Sequence, residues 1–143
     1  MIVLRVEVET NSHMGKVGPW CAGIYDSRFE TVCNKYRFNF RGYPKEPLED
    51  GCSHFVSCSN MLTGVWDWWQ VSHWFTRWAL RDLLEVGFKL NVYEVPNDDC
   101  FKGETQVVYY PSRAVLVESL TSETEIWDRV FRGRYEKRRK GIN

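Results

Sequence analysis

Residues 2–9, IVLRVEVE, decide the fold class, because apolar and charged side chains alternate along the whole stretch. A period of two places the apolar side chains on one face of an extended strand and Arg5, Glu7 and Glu9 on the other. The sequence therefore predicts a half-buried strand here, in a sheet that is covered on its apolar face.

Four later segments also predict strands, because β-branched and aromatic residues are concentrated in them between turn residues. They are residues 53–58, 88–95, 105–110 and 114–119. With residues 2–9 they are expected to form a mostly antiparallel sheet, either continuous or split into two halves around a cleft. Residues 10–23 and 42–53 have the Gly and Pro content of surface loops, and residues 24–41 fit a second strand or an extended arm.

A central, Trp-rich helical region is predicted at residues 60–86, packed on the sheet. Apolar residues recur at helical spacing over residues 61–69. A second helix is expected over residues 76–86, and Gly87 suits its end because glycine adopts positive φ freely. Most of the Trp side chains are expected in the core, and Trp68 is the best candidate for exposure.

The chain has the length of one domain, 143 residues, and its hydrophobic fraction of 43% supports a packed core. We therefore expect one globular α+β domain over residues 1–131, followed by a basic tail at residues 132–143. A last helix before the tail is expected to begin near Ser122, whose spacing to Glu125 fits a capping box. The tail itself is expected to fray.

Charge is unevenly distributed, although the formal net charge is zero. Residues 1–128 hold 12 Lys and Arg against 18 Asp and Glu, whereas residues 129–143 hold 7 against 1. Such a basic segment can contact phosphates, bind an acidic surface or simply be solvated.

Cysteine and histidine give no sign of a disulfide framework or a metal centre. The five cysteines are odd in number, include no CxxC pair and follow no signal peptide, which favours free thiols and a cytoplasmic location. His13, His54 and His73 are scattered, so no metal is expected. No apolar run is long enough to cross a membrane, and the sequence holds no phosphate-binding loop or dinucleotide fingerprint.

One set of polar residues resembles the R–S–E pattern of ADP-ribosyltransferases. An Arg on the first strand, a Phe-x-Ser-x-Ser run and a Glu-Thr-Gln run occur in that order along the chain. The residues are Arg5, Ser57, Ser59, Glu104 and Gln106. The match departs from the family at Cys58, where the family has Thr, and at the second acidic position, which is Gln here.

The resemblance implies a nucleotide site that uses NAD. Arg5 would hold the phosphates, because a guanidinium is planar, bidentate and permanently charged. Ser57 and Ser59 would shape the nicotinamide pocket, and an aromatic side chain such as Tyr93 would stack on a ring. Glu104 or Gln106 would take the catalytic position beside the developing cation.

A second resemblance covers residues 1–120. Its short motifs are Arg5–Glu7, Gly18–Trp20, Tyr43–Asp50, Trp74–Phe75, Leu83–Phe88, Tyr93–Pro96 and Gly103–Val108. In this order they are similar to small accessory proteins of tailed bacteriophages. The resemblance implies a host-directed role in the host cytoplasm, such as modifying a host protein or blocking a defence system.

Three functional hypotheses therefore stand side by side. The first is an ADP-ribosyltransferase-like scaffold that binds NAD or a related nucleotide and transfers ADP-ribose. The second is a non-enzymatic inhibitor of a host or defence protein, which binds through exposed Trp side chains or through acidic residues. Those acidic residues are Glu46, Glu49, Asp50, Asp98 and Asp99. The third is nucleic-acid binding through the basic tail.

Overall fold

The computed structural model describes residues 1–36, 47–52 and 60–141 of the chain. These residues form five α-helices and seven strands, and every strand pair among them is antiparallel. The α+β class predicted from the sequence is therefore confirmed, and the sheet is split into two parts. Within this part of the chain, no helix combines the length and the apolar character that crossing a membrane requires.

Strands and helices are mixed along the chain. The strands are β1 (Ile2–Glu9), β2 (Lys16–Val17), β3 (Leu62–Gly64), β4 (Lys89–Glu94), β5 (Cys100–Lys102), β6 (Val107–Tyr109) and β7 (Val115–Leu120). The helices are α1 (Pro19–Tyr25), α2 (Glu30–Lys35), α3 (Trp68–Trp74), α4 (Arg77–Glu85) and α5 (Glu123–Arg139). Four of the five predicted strands are confirmed, and the fifth, residues 53–58, lies outside the described residues.

The larger sheet has the strand order β2-β1-β4-β7 and two unlike faces. On one face, Leu4, Val6 and Val8 of β1 join side chains from all five helices in the main hydrophobic core. The other face carries polar residues, because the strand period of two sends Arg5 and Glu7 to the side away from the helices. This polar face holds the candidate site described below.

The smaller sheet has the order β3-β6-β5 and meets the larger one beside β1. Leu4 and Val65 exchange backbone hydrogen bonds of 2.7 and 3.0 Å at the junction. Gly64 makes this approach possible, because a Cβ there would lie 2.6 Å from Val3 Cγ1 and 2.7 Å from the Leu4 carbonyl oxygen. A second hydrophobic cluster forms around Val3 and Tyr109 where the two sheets meet.

The prediction of a helix over residues 61–69 is wrong for the first half of that range. Residues 62–64 form β3, and α3 begins only after Asp67, which caps it together with Gln70. Both Trp66 N and Asp67 N donate to Gln70 Oε1, at 2.9 and 3.0 Å. The apolar spacing fitted a helix, but the capping box and the pairing with β6 decide the backbone.

Two other segments also differ from expectation. Residues 10–23, predicted as loop, contain β2 and most of α1, which Pro19 starts at its first turn. Within residues 24–41, predicted as extended, α2 forms at Glu30–Lys35, and residues 37–41 lie outside the described residues. The helix predicted at 76–86 is confirmed as α4, with Gly87 at φ 113°.

The basic tail is helical where fraying was expected. Ser122 caps α5 by accepting a hydrogen bond from Glu125 N at 3.3 Å, and the helix continues to Arg139. Residues 132–139 are therefore part of an ordered helix. The helix is favoured by acidic residues in its first turn and basic residues in its last, which complement the helix dipole.

Candidate functional site

A buried carboxylate, Glu7, is the centre of the polar face. Its side chain is 3% exposed. Its Oε2 accepts from Arg5 Nε at 3.0 Å, and its Oε1 accepts from Asn91 Nδ2 at 3.1 Å and from the Tyr93 hydroxyl. Asn91 is itself held by β7, because Ser119 Oγ donates to Asn91 Oδ1 at 2.6 Å. Three strands therefore contribute to one hydrogen-bonded network.

Strand register produces this network. Arg5 of β1 lies opposite Asn91 of β4, and Asn91 lies opposite Ser119 of β7. Residues opposite one another share a face, so the polar side chains form a row across the sheet. Burial, and then the neighbouring Glu7 carboxylate, raise the pKa of Tyr93, which keeps its hydroxyl protonated as a donor.

Arg5 links the two sheets. Besides its bond to Glu7, its Nη1 donates to the Thr63 carbonyl oxygen of β3 at 2.7 Å. Its side chain is 11% exposed, and Gly18 lies beside the guanidinium. In this arrangement Arg5 contacts protein groups, so a phosphate would have to displace one of them.

A groove of about 380 Å³ opens on the polar face next to Glu7. Its floor is formed by Glu7, Asn91 and Ser119, and its rim carries the cations Lys16, Arg28 and Lys89. Arg28 is already paired with Asp26, at 2.7 Å between Nη2 and Oδ2. Lys16 and Lys89 are exposed, as is Glu9, so two cations and one anion border a polar floor that is large enough for a small ligand.

A second buried carboxylate, Asp50, holds the turn between β5 and β6. Its side chain accepts from Thr105 N at 2.9 Å, Thr105 Oγ1 at 2.6 Å and Gln106 N at 3.1 Å. Its backbone carbonyl accepts from Glu104 N at 2.8 Å. Asp50 is fully buried, which corrects its assignment to an exposed acidic surface. Its charge is stabilised by donors that converge on it from the turn.

The predicted site residues fall into two groups. Arg5 and Tyr93 meet at Glu7, whereas Glu104 and Gln106 belong to the turn that Asp50 holds. In that turn the Glu104 side chain is exposed and Gln106 is buried. The predicted cofactor residues Ser57 and Ser59 lie outside the described residues.

Sequence reasoning missed the burial of Glu7 and of Asp50. Glu7 was placed on the polar face of the strand, but nothing in its spacing to Asn91 or Tyr93 predicts that the three meet. Asp50 was placed in a surface loop because Pro and acidic residues surround it. The one usable signal was Gly103 followed by Thr105, because small and hydroxyl-bearing residues suit a turn that packs closely on a carboxylate.

The Trp-rich helices pack against α5 through cations. Lys137 Nζ lies 3.3 Å from the centre of the Trp69 ring, and Arg129 Cζ lies 5.0 Å from that of Trp68. Trp68, expected to be exposed, is half-buried, and Trp78 is the most exposed Trp of these helices. These contacts anchor the basic helix to the domain.

β7 leaves an apolar surface at the edge of the larger sheet. Val115, Leu116 and Val117 are all exposed, Val115 by 63%. The register between β4 and β7 shifts at Val92 and Tyr93, so Val117 is the extra residue of a β-bulge. Among the described residues, no strand pairs with the outer edge of β7.

Neither metal ligation nor an activated thiol is apparent in the part of the chain that the structure describes. No group of three His, Cys, Asp or Glu residues there is arranged to hold a metal ion. The four described cysteines are free, and burial raises the pKa of Cys33, Cys52 and Cys100. A raised pKa disfavours the reactive thiolate.

Comparison with protein families gives a match over residues 1–123 to the family described as Bacteriophage T4 Y00F protein. The chain belongs to this family. It is a small phage protein, as the motifs in residues 1–120 predicted, and the match ends where α5 begins. No curated protein and no solved structure matches the chain.

Proposed function

We propose that this phage protein is a host-directed accessory protein that acts by binding another protein, without catalysis. The observation that carries the proposal is the outer edge of β7. An edge strand presents unpaired backbone N–H and C=O groups, and natural proteins usually protect such edges with charges or cover. In β7 three consecutive apolar side chains stand there instead.

The chemistry of this edge favours one kind of partner. An extended segment can add to it as a further strand, with backbone hydrogen bonds supplying affinity and side chains supplying specificity. The segment would carry apolar residues where it faces Leu116 and Val117. Blocking a host or defence protein in this way needs no reactive group.

Val117→Lys tests the proposal, because Val117 is exposed and belongs to the bulge, so its replacement leaves the core unchanged. Ile24→Lys is the matched control, since Ile24 is an exposed apolar residue of α1. We expect wild type and Ile24→Lys to capture the same host protein from lysate, and Val117→Lys to lose it.

Hydrogen exchange then locates the contact. Adding the captured protein should slow exchange of the β7 amides in wild type. Capture that is equal in all three proteins, or protection elsewhere only, would overturn the proposal. A dimer of this chain that disappears in Val117→Lys would also overturn it, because the edge would then serve self-association.

A second candidate function is binding of NAD or a related nucleotide in the groove beside Glu7. It is supported by the rim cations Lys16 and Lys89 and by the Glu7 carboxylate of the floor, to which Arg5 and Tyr93 donate. A catalytic role for Glu104 or Gln106 stays a prediction, because both are held in the turn at Asp50.

Thermal unfolding with and without excess NAD tests this candidate. Ligand at 100 times its dissociation constant stabilises a protein by about 2.7 kcal/mol, which raises the melting temperature by roughly 9 °C at this size. The rise should vanish in Lys89→Ala and persist in Lys140→Ala, which removes the same charge from the end of α5. No rise in wild type removes the nucleotide hypothesis and leaves the protein-binding proposal untouched.

A further inference from the structure

The cations of α5 divide into two groups. Arg129 is paired with Glu118 and Glu125, and Lys137 lies on the Trp69 ring. The others have no ion pair within the described residues, and all are exposed: Arg132, Arg134, Arg138, Arg139 and Lys140. An ordered helix and its C-cap residue, Lys140, therefore present five cations that are available to an anionic partner.

Two exposed aromatic side chains stand among these cations. Phe131 is 52% exposed and Tyr135 is 67% exposed. The order Phe131, Arg134, Tyr135, Arg138 has steps of three, one and three residues, so all four lie on one side of the helix. The base of this stripe is fixed, because the Phe131 ring packs on the Trp127 ring at 6.1 Å between centroids.

The helix that carries the stripe is held rigidly. Gly133 lets α5 approach α3 closely, since a Cβ there would lie 3.4 Å from Trp68 Cβ and from Trp69 N. Lys137 and Arg129 pack on the Trp69 and Trp68 rings from either side of Gly133. The stripe therefore faces away from a fixed support, and little ordering is needed on binding.

We propose that this stripe binds single-stranded nucleic acid. Guanidinium groups hold phosphates, and exposed aromatic rings stack on unpaired bases, whereas the bases of a duplex are already stacked. The two kinds of side chain alternate at a spacing that lets one strand use both. Residues 1–128 carry an excess of acidic residues, which repels the strand from the rest of the surface and confines it to α5.

Fluorescence anisotropy with a labelled 12-nucleotide oligo-dT, measured from 50 to 200 mM salt, tests the proposal on the full chain. Affinity should fall steeply with salt, by a slope of about −0.7 per phosphate contact. Arg134→Gln/Arg138→Gln should lower the affinity at least tenfold and reduce that slope by about 1.4. The control Lys16→Gln/Lys89→Gln removes two charges from the groove rim and should leave both quantities unchanged.

Tyr135→Ala separates stacking from charge. One base–aromatic stack is worth about 1–3 kcal/mol, so the affinity should fall roughly 5- to 150-fold with the salt slope unchanged. A duplex of the same length should bind more weakly than the single strand. Absence of binding at 50 mM salt would overturn the proposal. Binding of the duplex as tightly as the single strand would also overturn it, as would an equal loss of affinity in the Lys16→Gln/Lys89→Gln control. The same holds if Tyr135→Ala keeps full affinity, or if the protein binds anionic vesicles and no oligonucleotide.

Discussion

Glu7 and Asp50 are both buried carboxylates, yet their surroundings differ in kind. Glu7 accepts from the side chains of Arg5, Asn91 and Tyr93, one of them a cation, and it borders an open groove. Asp50 accepts mainly from backbone N–H groups of one tight turn. Side chains can rotate to exchange a protein partner for a ligand, whereas backbone donors of a packed turn cannot.

The difference separates a candidate site from a structural support. Removing Asp50 would release the turn that joins β5 to β6, with effects confined to the smaller sheet. Removing Glu7 would disturb a network that joins both sheets, because Arg5 also reaches Thr63 of β3. We therefore expect Glu7 to matter both for stability and for anything that binds in the groove.

The largest expected effect comes from Glu7→Ala. The substitution leaves the Arg5 guanidinium nearly buried without its counter-charge, which costs about 3–5 kcal/mol of unfolding free energy. Urea unfolding at 25 °C measures it. Glu9→Ala, on the same strand but exposed, should change the stability by less than about 0.5 kcal/mol.

A double substitution sharpens this result. Replacing both Arg5 and Glu7 by Leu removes the charge and its partner together, so the part of the loss that comes from the unpaired guanidinium should be recovered. The part that comes from Asn91 and Tyr93, which lose their acceptor in both variants, should remain. If Glu7→Ala alone lowers the unfolding free energy by less than about 1 kcal/mol, water from the groove solvates Arg5 in the variant. The Glu7 network would then not hold the two sheets together, and the difference drawn between Glu7 and Asp50 would not stand.

Much of the fold could be predicted from local sequence. The alternation in residues 2–9 and Gly87 after α4 each act within a few residues, and the strand and the helix end that they predict were confirmed. The errors arose where a distant segment decides the backbone. Residues 62–64 have apolar spacing that fits a helix, but they pair with β6, which lies more than 40 residues later.

The candidate site could be predicted only in part, because hydrogen-bonded networks depend on register. Arg5 and Tyr93 were proposed as site residues, and they do share Glu7. That Glu7 is their common partner follows from the pairing of β1 with β4, which the sequence does not specify. The aromatic and cationic stripe on α5 depends only on local helical spacing, which can be read from the sequence. It was not predicted, because the tail was expected to fray and not to form a helix.

A smaller effect is expected at the turn that Asp50 holds. In Gly103→Ala, the added Cβ would lie 2.4 Å from Asp50 Oδ2 and 2.7 Å from Cys52 Sγ, both parts of a packed interior. Overpacking of this kind costs about 1–3 kcal/mol, measurable by urea unfolding. Gly18→Ala is the control, because its Cβ would make ordinary contacts of 3.6 Å, and we expect a loss below about 1 kcal/mol. Equal losses in both would mean that the turn relaxes and that Asp50 does not hold it rigidly.

The smallest effect is expected at Asp82, a carboxylate near the surface. It tests whether the difference between side-chain and backbone donors also matters for a carboxylate that is less buried than Glu7 and Asp50. Hydrogen bonds from Tyr36, and then from Lys35, lower the pKa of Asp82 and connect α2 to α4. The unfolded chain therefore binds the proton at a higher pH than the folded protein does. The stabilisation is complete above the unfolded pKa of about 3.9 and is lost as the pH falls through the folded value.

Asp82→Asn should thus lower the melting temperature at pH 7. The gap to wild type should narrow at the lowest pH at which the protein stays folded, because wild-type Asp82 takes up a proton as the pH falls through its lowered pKa. Asp98→Asn, at an exposed position in the turn before β5, should show no such gap at either pH. A gap of the same size at both pH values would mean that the contact with Tyr36 acts through packing alone. Charge at Asp82 would then add nothing, and the distinction between side-chain and backbone donors would apply only to the buried carboxylates.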